Sequence, residues 1–443
     1  MRKKMTALLA LLLCAAMLTG CAYLPTLGIT SLYDGTSQQT AAAATQSPAA
    51  QTEEKDTETV TASADDTKSD SDTVTISREQ YERYQQFDEL LEIMDEVQND
   101  YYQEVDTTKL LEGAATGMLD AVGDPYTFYY TPEAYADLWE DDEGEYAGIG
   151  IQITSYYATN LCIVSRVFTG TPAEAAGVHK GDILYRVGED LLVVPDTVDE
   201  AVSIMRGTPG TTVDVTFLRD GEELTFTIER AVVNTNWVES GMLTDEVGYI
   251  ILYQFAGDCS EKFIAAADEL VAQGAKGIIL DLRDNPGGWV NDAVAIADYF
   301  LPKGVVCTAQ YRSGYEYVYR TTTDGKEPDV ELVVLINESS ASSSEILTGC
   351  LKDRTDVTVV GTTSYGKGII QAVLPVGSNG AGMQLTIAQY FTPNGNAMHK
   401  IGITPDVEVE LAEDDNGMHD FGDLTDAQLA KALEVMQEKL AAK

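Results

Sequence analysis

The sequence predicts a multidomain α+β protein, with a helical N-terminal arm, a β-rich module and an α/β core whose sheet is at least partly parallel. Three observations predict it. Helical spacing of apolar residues dominates the stretch that begins near Ile76. From Tyr146 to about Ala231, short alternating strands are separated by Gly and Pro turns. Beyond Glu246, continuous apolar strands alternate with helical stretches, the pattern of an α/β layer. The chain has 443 residues, long for one core, so size alone also points to several domains.

The N-terminus reads as an export segment. Arg2, Lys3 and Lys4 precede a short apolar run, Ala7 to Met17, too short to span a bilayer as a stable helix. The run ends in Leu18-Thr19-Gly20-Cys21, which resembles a bacterial lipobox, where the cysteine becomes the lipidated N-terminus. A plain signal peptide that happens to carry Cys21 is the blander alternative. Lipid chains on Cys21 would tether the protein to a membrane, on the extracytoplasmic face of the cell envelope. Residues from about Asp34 to Thr75 are Ala, Thr, Ser, Gln, Asp and Glu with almost no large apolar residue, a composition that cannot build a core.

Folded sequence starts near Ile76. Arg78 to Tyr102 carries apolar residues at helical spacing from Tyr81 to Val97, and Thr107 to Val122 reads as a second amphipathic helix stopped by Asp124-Pro125. The β-rich module follows, with a hairpin expected around Asp220-Gly221. In the core, strands are expected at Gly248–Tyr253, Gly277–Leu282, Leu332–Ile336, Val357–Gly361 and Met383–Tyr390. Helices are expected at Ser260–Gln273, Trp289–Phe300 and Ser342–Lys352, with a last amphipathic helix opening at Thr425. The expected segments are therefore 1–20 signal, 21–75 linker, 76–143 helical region, 144–233 β-rich module, 234–410 α/β core and 411–443 acidic segment and helix.

Composition narrows the chemistry. Asp and Glu number 72 against 28 Lys and Arg, a net charge of -44. That excludes a nucleic-acid partner, which needs a basic surface, and equally excludes docking on anionic lipid through charge. Cys14 leaves with the signal and Cys21 is consumed at the anchor. Cys162, Cys259, Cys307 and Cys350 remain without metal-ligand spacing, and which of them an oxidising compartment would pair is open. No metal or other cofactor is expected. His179, His399 and His419 are the only histidines, and no Gly-x-Ser-x-Gly elbow, phosphate-binding glycine loop or His-Glu-x-x-His motif occurs. A Ser-His-Asp triad, an ATPase and a zinc peptidase are thereby disfavoured.

Three segments of the core remain. In Asp281-Leu282-Arg283-Asp284-Asn285-Pro286-Gly287-Gly288 a strand runs into two glycines before a helix, where backbone N–H groups can approach an anion; alone, a tight turn explains it. In Asn337 to Ile346 small residues sit where a strand gives way to a helix, and Ser342 with Glu345 has the spacing of a capping box. In Gly361 to Gln371, Lys367 lies between glycines in apolar surroundings. A lysine drawn out of water has its pKa lowered from roughly 10.4 and can then accept a proton from serine. A lone lysine of this kind is more often an exposed loop residue.

Together the three segments resemble the C-terminal processing peptidases, the S41 family of serine proteases with a Ser-Lys dyad and an inserted PDZ domain. The PDZ likeness covers Tyr146 to Ala231, including Gly170-Thr171-Pro172-Ala173 and Gly181-Asp182-Ile183-Leu184; the family likeness covers nearly all the folded part. The resemblance implies a protease core of the layered Clp/crotonase-like fold, Ser342 as nucleophile within Ser340-Ala341-Ser342-Ser343-Ser344, Lys367 as base and Gln371, one helical turn beyond, as its orienting group. It places the oxyanion hole at Gly287 or Gly288 together with Ser343, and the carboxylate loop of the PDZ module at Gly148, Ile149, Gly150 and Ile151. Ser343 stands where the family usually has Ala, and Ser364-Tyr365 where Thr-Phe is common; neither removes a catalytic group. His399 falls in a segment that the family uses structurally. The implied function is endopeptidase action on exported proteins with apolar C-terminal tails, by a protein that the resemblance allows to dimerise through its terminal helices. The rivals are a non-enzymatic PDZ-bearing lipoprotein and a crotonase- or Clp-like acyl-transfer enzyme.

Overall fold

The computed structural model describes residues 75–142, 145–156, 159–322, 327–411 and 421–443. Cys21, the signal and linker segments and His419 lie outside the described residues. The chain divides into two compact units, the second beginning at Tyr130.

In the first unit the periodic stretch from Arg78 forms two helices, not one: α1 (Arg78–Gln85) and α2 (Asp88–Asp100), followed by α3 (Thr107–Asp120). Phe87 leaves helical geometry at φ -102° and ψ 0°, which breaks the run that its spacing alone predicts. Ser77 and Gln80 close α1 with a reciprocal capping box. None of the three helices has a buried residue, and Tyr84, Leu91, Ile93 and Leu111 are all exposed.

A short strand, β1 (Phe128–Tyr130), and α4 (Pro132–Asp142) lead into the β-rich module. Its two-stranded flank pairs β2 (Glu145–Gly148) with β9 (Ala231–Asn234), so the module leaves and re-enters the chain at one place. Between them lies a sheet ordered β3 (Ile151–Tyr156), β4 (Leu161–Val167), β5 (Ile183–Val187), β7 (Thr212–Arg219) and β8 (Glu222–Glu229), with β6 (Leu191–Leu192) paired to β5. The β7–β8 hairpin turns on Asp220 at φ 53° and Gly221 at φ 81°, the two left-handed positions that a two-residue turn of this twist needs. Helices α5 (Pro172–Ala176) and α6 (Val198–Met205) complete a core of its own, centred on Leu184, Val215 and Phe217. The module is fixed to the rest through Arg166, whose guanidinium lies 3.5 Å from the centroid of the Tyr253 ring and donates to the Asn236 carbonyl at 2.6 Å.

The core sheet runs β10 (Val238–Met242), β11 (Val247–Leu252), β12 (Gly277–Asp281), β15 (Glu331–Ile336), β16 (Thr358–Gly361) and β19 (Val407–Glu408), parallel throughout except for β10. Every residue of β12 and β15 is buried, as expected of strands covered on both faces. One face packs against α7 (Cys259–Gln273), α8 (Val290–Phe300) and α9 (Ser343–Arg354), the other against α10 (Ala427–Ala441). A second, antiparallel sheet joins β17 (Ile369–Val376), β18 (Ala381–Phe391), β13 (Gly304–Tyr311) and β14 (Glu316–Thr321). Cys162, Cys259, Cys307 and Cys350 are buried free thiols. Among the described residues no helix is long and apolar enough to cross a membrane, and no group of His, Cys, Asp and Glu has the arrangement of a metal site.

Candidate active site

The site gathers at the C-terminal ends of β12 and β15, where each parallel strand hands over to a helix. From β12 the chain passes through Arg283 and Asp284 to Asn285-Pro286-Gly287-Gly288 and into α8. Arg283 pairs with Asp281 at 2.6 Å and with Asp426 at 2.7 Å, and Asp426 also caps α10, so the last helix of the chain braces the start of this loop. Both glycines are required by what surrounds them. A Cβ on Gly287 would lie 2.7 Å from that of Ser342, and one on Gly288 would lie 1.9 Å from the Phe255 carbonyl oxygen.

From β15 the chain turns through Asn337 to Ser342 and starts α9 at Ser343. Four buried serines stand here, and their hydroxyls separate them. Ser340 donates to the Leu282 carbonyl at 2.7 Å, Ser343 to Gly288 at 2.8 Å and Ser344 to Asn285 at 2.9 Å. These three sew the serine loop to the glycine loop. The Ser342 hydroxyl is buried and has no hydrogen-bond partner among the described residues. Its backbone sits at φ 55° and ψ -116°, outside the ordinary regions for a residue with a side chain, at the first turn of α9. Of the capping box expected from the sequence, the glutamate half is made, from the Ser342 N–H to Glu345 Oε2 at 2.9 Å. The hydroxyl is not used for capping.

Glu345 does more than cap. Its carboxylate also accepts from the Ser364 hydroxyl at 2.6 Å, the Gly366 N–H at 2.8 Å and the Lys367 N–H at 2.8 Å. The Ser342 and Lys367 backbones are thus held by one oxygen, Oε2. Burial pushes the Glu345 carboxyl up from the ordinary range, and its hydrogen bonds pull it back. Nothing in the sequence flagged this residue beyond its capping position. Tyr390 is a second tie: its hydroxyl reaches the carbonyls of both Ser342 and Lys367, and burial pushes its phenol well above the usual value.

Lys367 is fully buried, a rare environment for a lysine. Its flanking glycines let another segment come close, since a Cβ on Gly368 would lie 2.3 Å from the His399 N. His399 packs there through its backbone. Gln371 is also fully buried, but on strand β17, so the chain from Lys367 to Gln371 is extended and not a helical turn. The register of β17 against β18 shifts between Ile370 and Gln371, which places the Gln371 amide nitrogen 3.2 Å from the Thr386 hydroxyl.

The candidate oxyanion donors divide. The Gly287 N–H is held by Asn285 Oδ1 at 2.8 Å. The N–H groups of Gly288 and Ser343 donate to no group among the described residues. In the β-rich module, Gly148, Ile149, Gly150 and Ile151 line a groove with Tyr146, Ile153, Val202, Met205 and Arg206. Gly150, at φ 90°, passes so close to Thr171 that a Cβ would meet it at 2.3 Å.

Comparison with known proteins decides the family. Residues 246–409 match the model of peptidase family S41, 147–229 that of the PDZ domain and 27–134 that of the N-terminal domain of the activating protease CtpB. A carboxy-terminal-processing protease of Bartonella bacilliformis is 36% identical over 76% of this chain and 78% of its own. The chain belongs to peptidase family S41. Carboxy-terminal processing protease CtpA of Bacillus subtilis is 33% identical over 74% of this chain and 70% of its own. A solved photosystem II D1 C-terminal processing protease shares 25% identity at a TM-score of 0.54, covering 82% of this chain and 98% of that one. The protein is accordingly a serine peptidase of the C-terminal processing type, with an α/β S41 core and a PDZ domain.

Proposed function

We propose that Ser342 is the nucleophile and Lys367 the general base of this S41 peptidase, that Gln371 orients the lysine, and that the Gly288 and Ser343 N–H groups form the oxyanion hole. One observation carries the reading: Ser342 is the serine of the loop whose buried hydroxyl is left over when its neighbours are bonded. Ser342 Oγ attacks the scissile carbonyl as its proton passes to Lys367 Nζ. The carbonyl oxygen becomes an anion beside two N–H groups at the start of α9 and α8, where the helix dipoles favour negative charge. Lys367 then gives the proton to the leaving amine, and water hydrolyses the acyl-enzyme. A neutral amine has the lone pair that taking the serine proton requires. Cleavage of an unfolded protein ending in apolar residues, followed by intact mass, tests the assignment against Ser342→Ala.

Substrate C-termini are proposed to enter the PDZ groove as a strand added to β3, an edge strand of its sheet. The Ile149 and Gly150 N–H groups, which donate to nothing among the described residues, would take the terminal carboxylate. Ile151, Ile153, Val202 and Met205 would select apolar side chains. Blocking the carboxylate of such a peptide as an amide is expected to weaken its binding to full-length Ser342→Ala protein by about tenfold or more, the worth of hydrogen bonds to a charge. Equal affinity for both forms, read by fluorescence anisotropy, would remove the carboxylate loop from the proposal.

The protein is proposed to work at the extracytoplasmic face of the membrane, anchored through Cys21, and to dimerise through its helical arm, whose apolar residues are exposed. Cys21→Ser should then move it from the membrane to the soluble fraction, and deleting residues before Tyr130 should give, in light scattering, the mass of one truncated chain and not of two. An unchanged distribution, or the mass of two truncated chains, would speak against each.

A further inference from the structure

Beside the oxyanion loop stands an aromatic pair that the dyad chemistry does not use. Trp289 follows Gly288 directly, and its N–H is fixed to the Phe255 carbonyl at 2.8 Å. The Trp139 ring, from α4, stacks on it with centroids 6.2 Å apart and planes 17° apart. Tyr135 meets Trp139 edge-on at 5.9 Å and 88°. Tyr135 is itself seated over Gly382 of β18, where a Cβ would lie 2.0 Å from the ring. The pair is therefore held from two sides, by the glycine loop and by the strand that also carries Thr386 and Tyr390. Yet both indoles are only half-buried, although their chain neighbours Leu138, Gly288 and Val290 are buried. Neither belongs to the apolar clusters of the core.

We infer that the Trp139–Trp289 stack is the wall that receives a substrate side chain flanking the scissile bond, and that it selects a large apolar one. The inference rests on the assignment of Ser342 and Gly288 above. A carbonyl oxygen bound by the Gly288 N–H lies about 3 Å from that nitrogen, so the substrate residue that bears it runs past the very next residue of the chain, Trp289. A rigid, half-exposed indole pair at that point gains most from covering its faces with apolar surface, and a small or charged side chain leaves them wet. The PDZ groove would choose which chain enters; this wall would choose where it is cut.

The test maps every cleavage site that the full chain makes in an unfolded protein by mass spectrometry. It then measures kcat/KM on two peptides that differ only at the preferred position, Phe in one and Ala in the other. Wild type should favour Phe by about tenfold or more, as differences of this size in an apolar pocket do. Trp139→Ala should bring that ratio close to one and spread the mapped sites, and Trp139→Phe should keep most of the preference. Should Trp139→Ala melt far below wild type, Trp289→Leu takes its place with the same expectation. A Phe/Ala ratio unchanged in these variants, with both peptides slowed alike, would make the pair a packing element and overturn the inference, as would a wild type without preference. Cleavage at the same sites by Ser342→Ala would instead bring down the nucleophile assignment, an outcome read separately.

Discussion

Ser342→Ala and Lys367→Met are each expected to lower kcat for peptide cleavage by about 10⁶-fold, the loss typical of a serine protease stripped of its nucleophile or base. No neighbour can take over. The Ser340, Ser343 and Ser344 hydroxyls are directed at backbone carbonyls, and freeing any of them would break a buried hydrogen bond. The two substitutions should also leave the fold standing. The Ser342 hydroxyl has no partner to orphan among the described residues, so its removal breaks no hydrogen bond and should not lower stability. Methionine keeps most of the volume of a fully buried lysine and itself needs no hydrogen-bond partner. Intact mass of an unfolded substrate and thermal melting of the enzyme separate the two effects. Undiminished cleavage by either variant, or a collapse of the fold in Ser342→Ala, would contradict the roles given to them.

Much of this arrangement is legible in the sequence because the same local chemistry marks it twice. A parallel strand ending in glycines or small residues before a helix leaves unpaired N–H groups at the helix start, and both Gly287-Gly288 and Ser342-Ser343 carry that mark. The family likeness adds which serine and which lysine. What the sequence does not mark is anything decided across the fold. Gln371 lies on a strand whose course depends on pairing with β18, so its four-residue distance from Lys367 says nothing about a helix. The α1–α2 break at Phe87 falls inside an unbroken periodic pattern. The choice of Gly288 over Gly287 rests on a side chain, Asn285, folding back onto the Gly287 N–H. The β13–β14 hairpin and β17 went unread because their strands border the segments singled out for chemistry or carry polar residues on an exposed face.

Glu345 shows the same limit with larger consequences, and Glu345→Gln is expected to disable the enzyme without touching a reacting group. Spacing of three residues from Ser342 made it a helix cap. In the fold its two oxygens receive four donors, from Ser342 and from Ser364, Gly366 and Lys367, the last three 19 to 22 residues away. Glutamine has the same shape but offers one acceptor oxygen and a donating NH₂. Whichever way the amide turns, donors face donors on one side. Three of the four are backbone N–H groups that cannot rotate away, and the Ser364 hydroxyl also accepts from the Ile403 N–H at 2.6 Å. Each buried donor left without an acceptor costs about 1–3 kcal/mol, so a loss of roughly 3 kcal/mol or more in stability follows. Activity should fall further than stability explains, because the carboxylate fixes the serine loop and the lysine loop to each other, and a displacement near 1 Å between reacting groups costs about 10²-fold. The measurement is kcat and KM at a temperature where the variant is fully folded by circular dichroism. A kcat reduced about 100-fold with KM little changed would mean that Glu345 sets the geometry of the dyad. A folded variant with undiminished kcat would mean that Tyr390, which reaches the same two backbones, is enough to hold them.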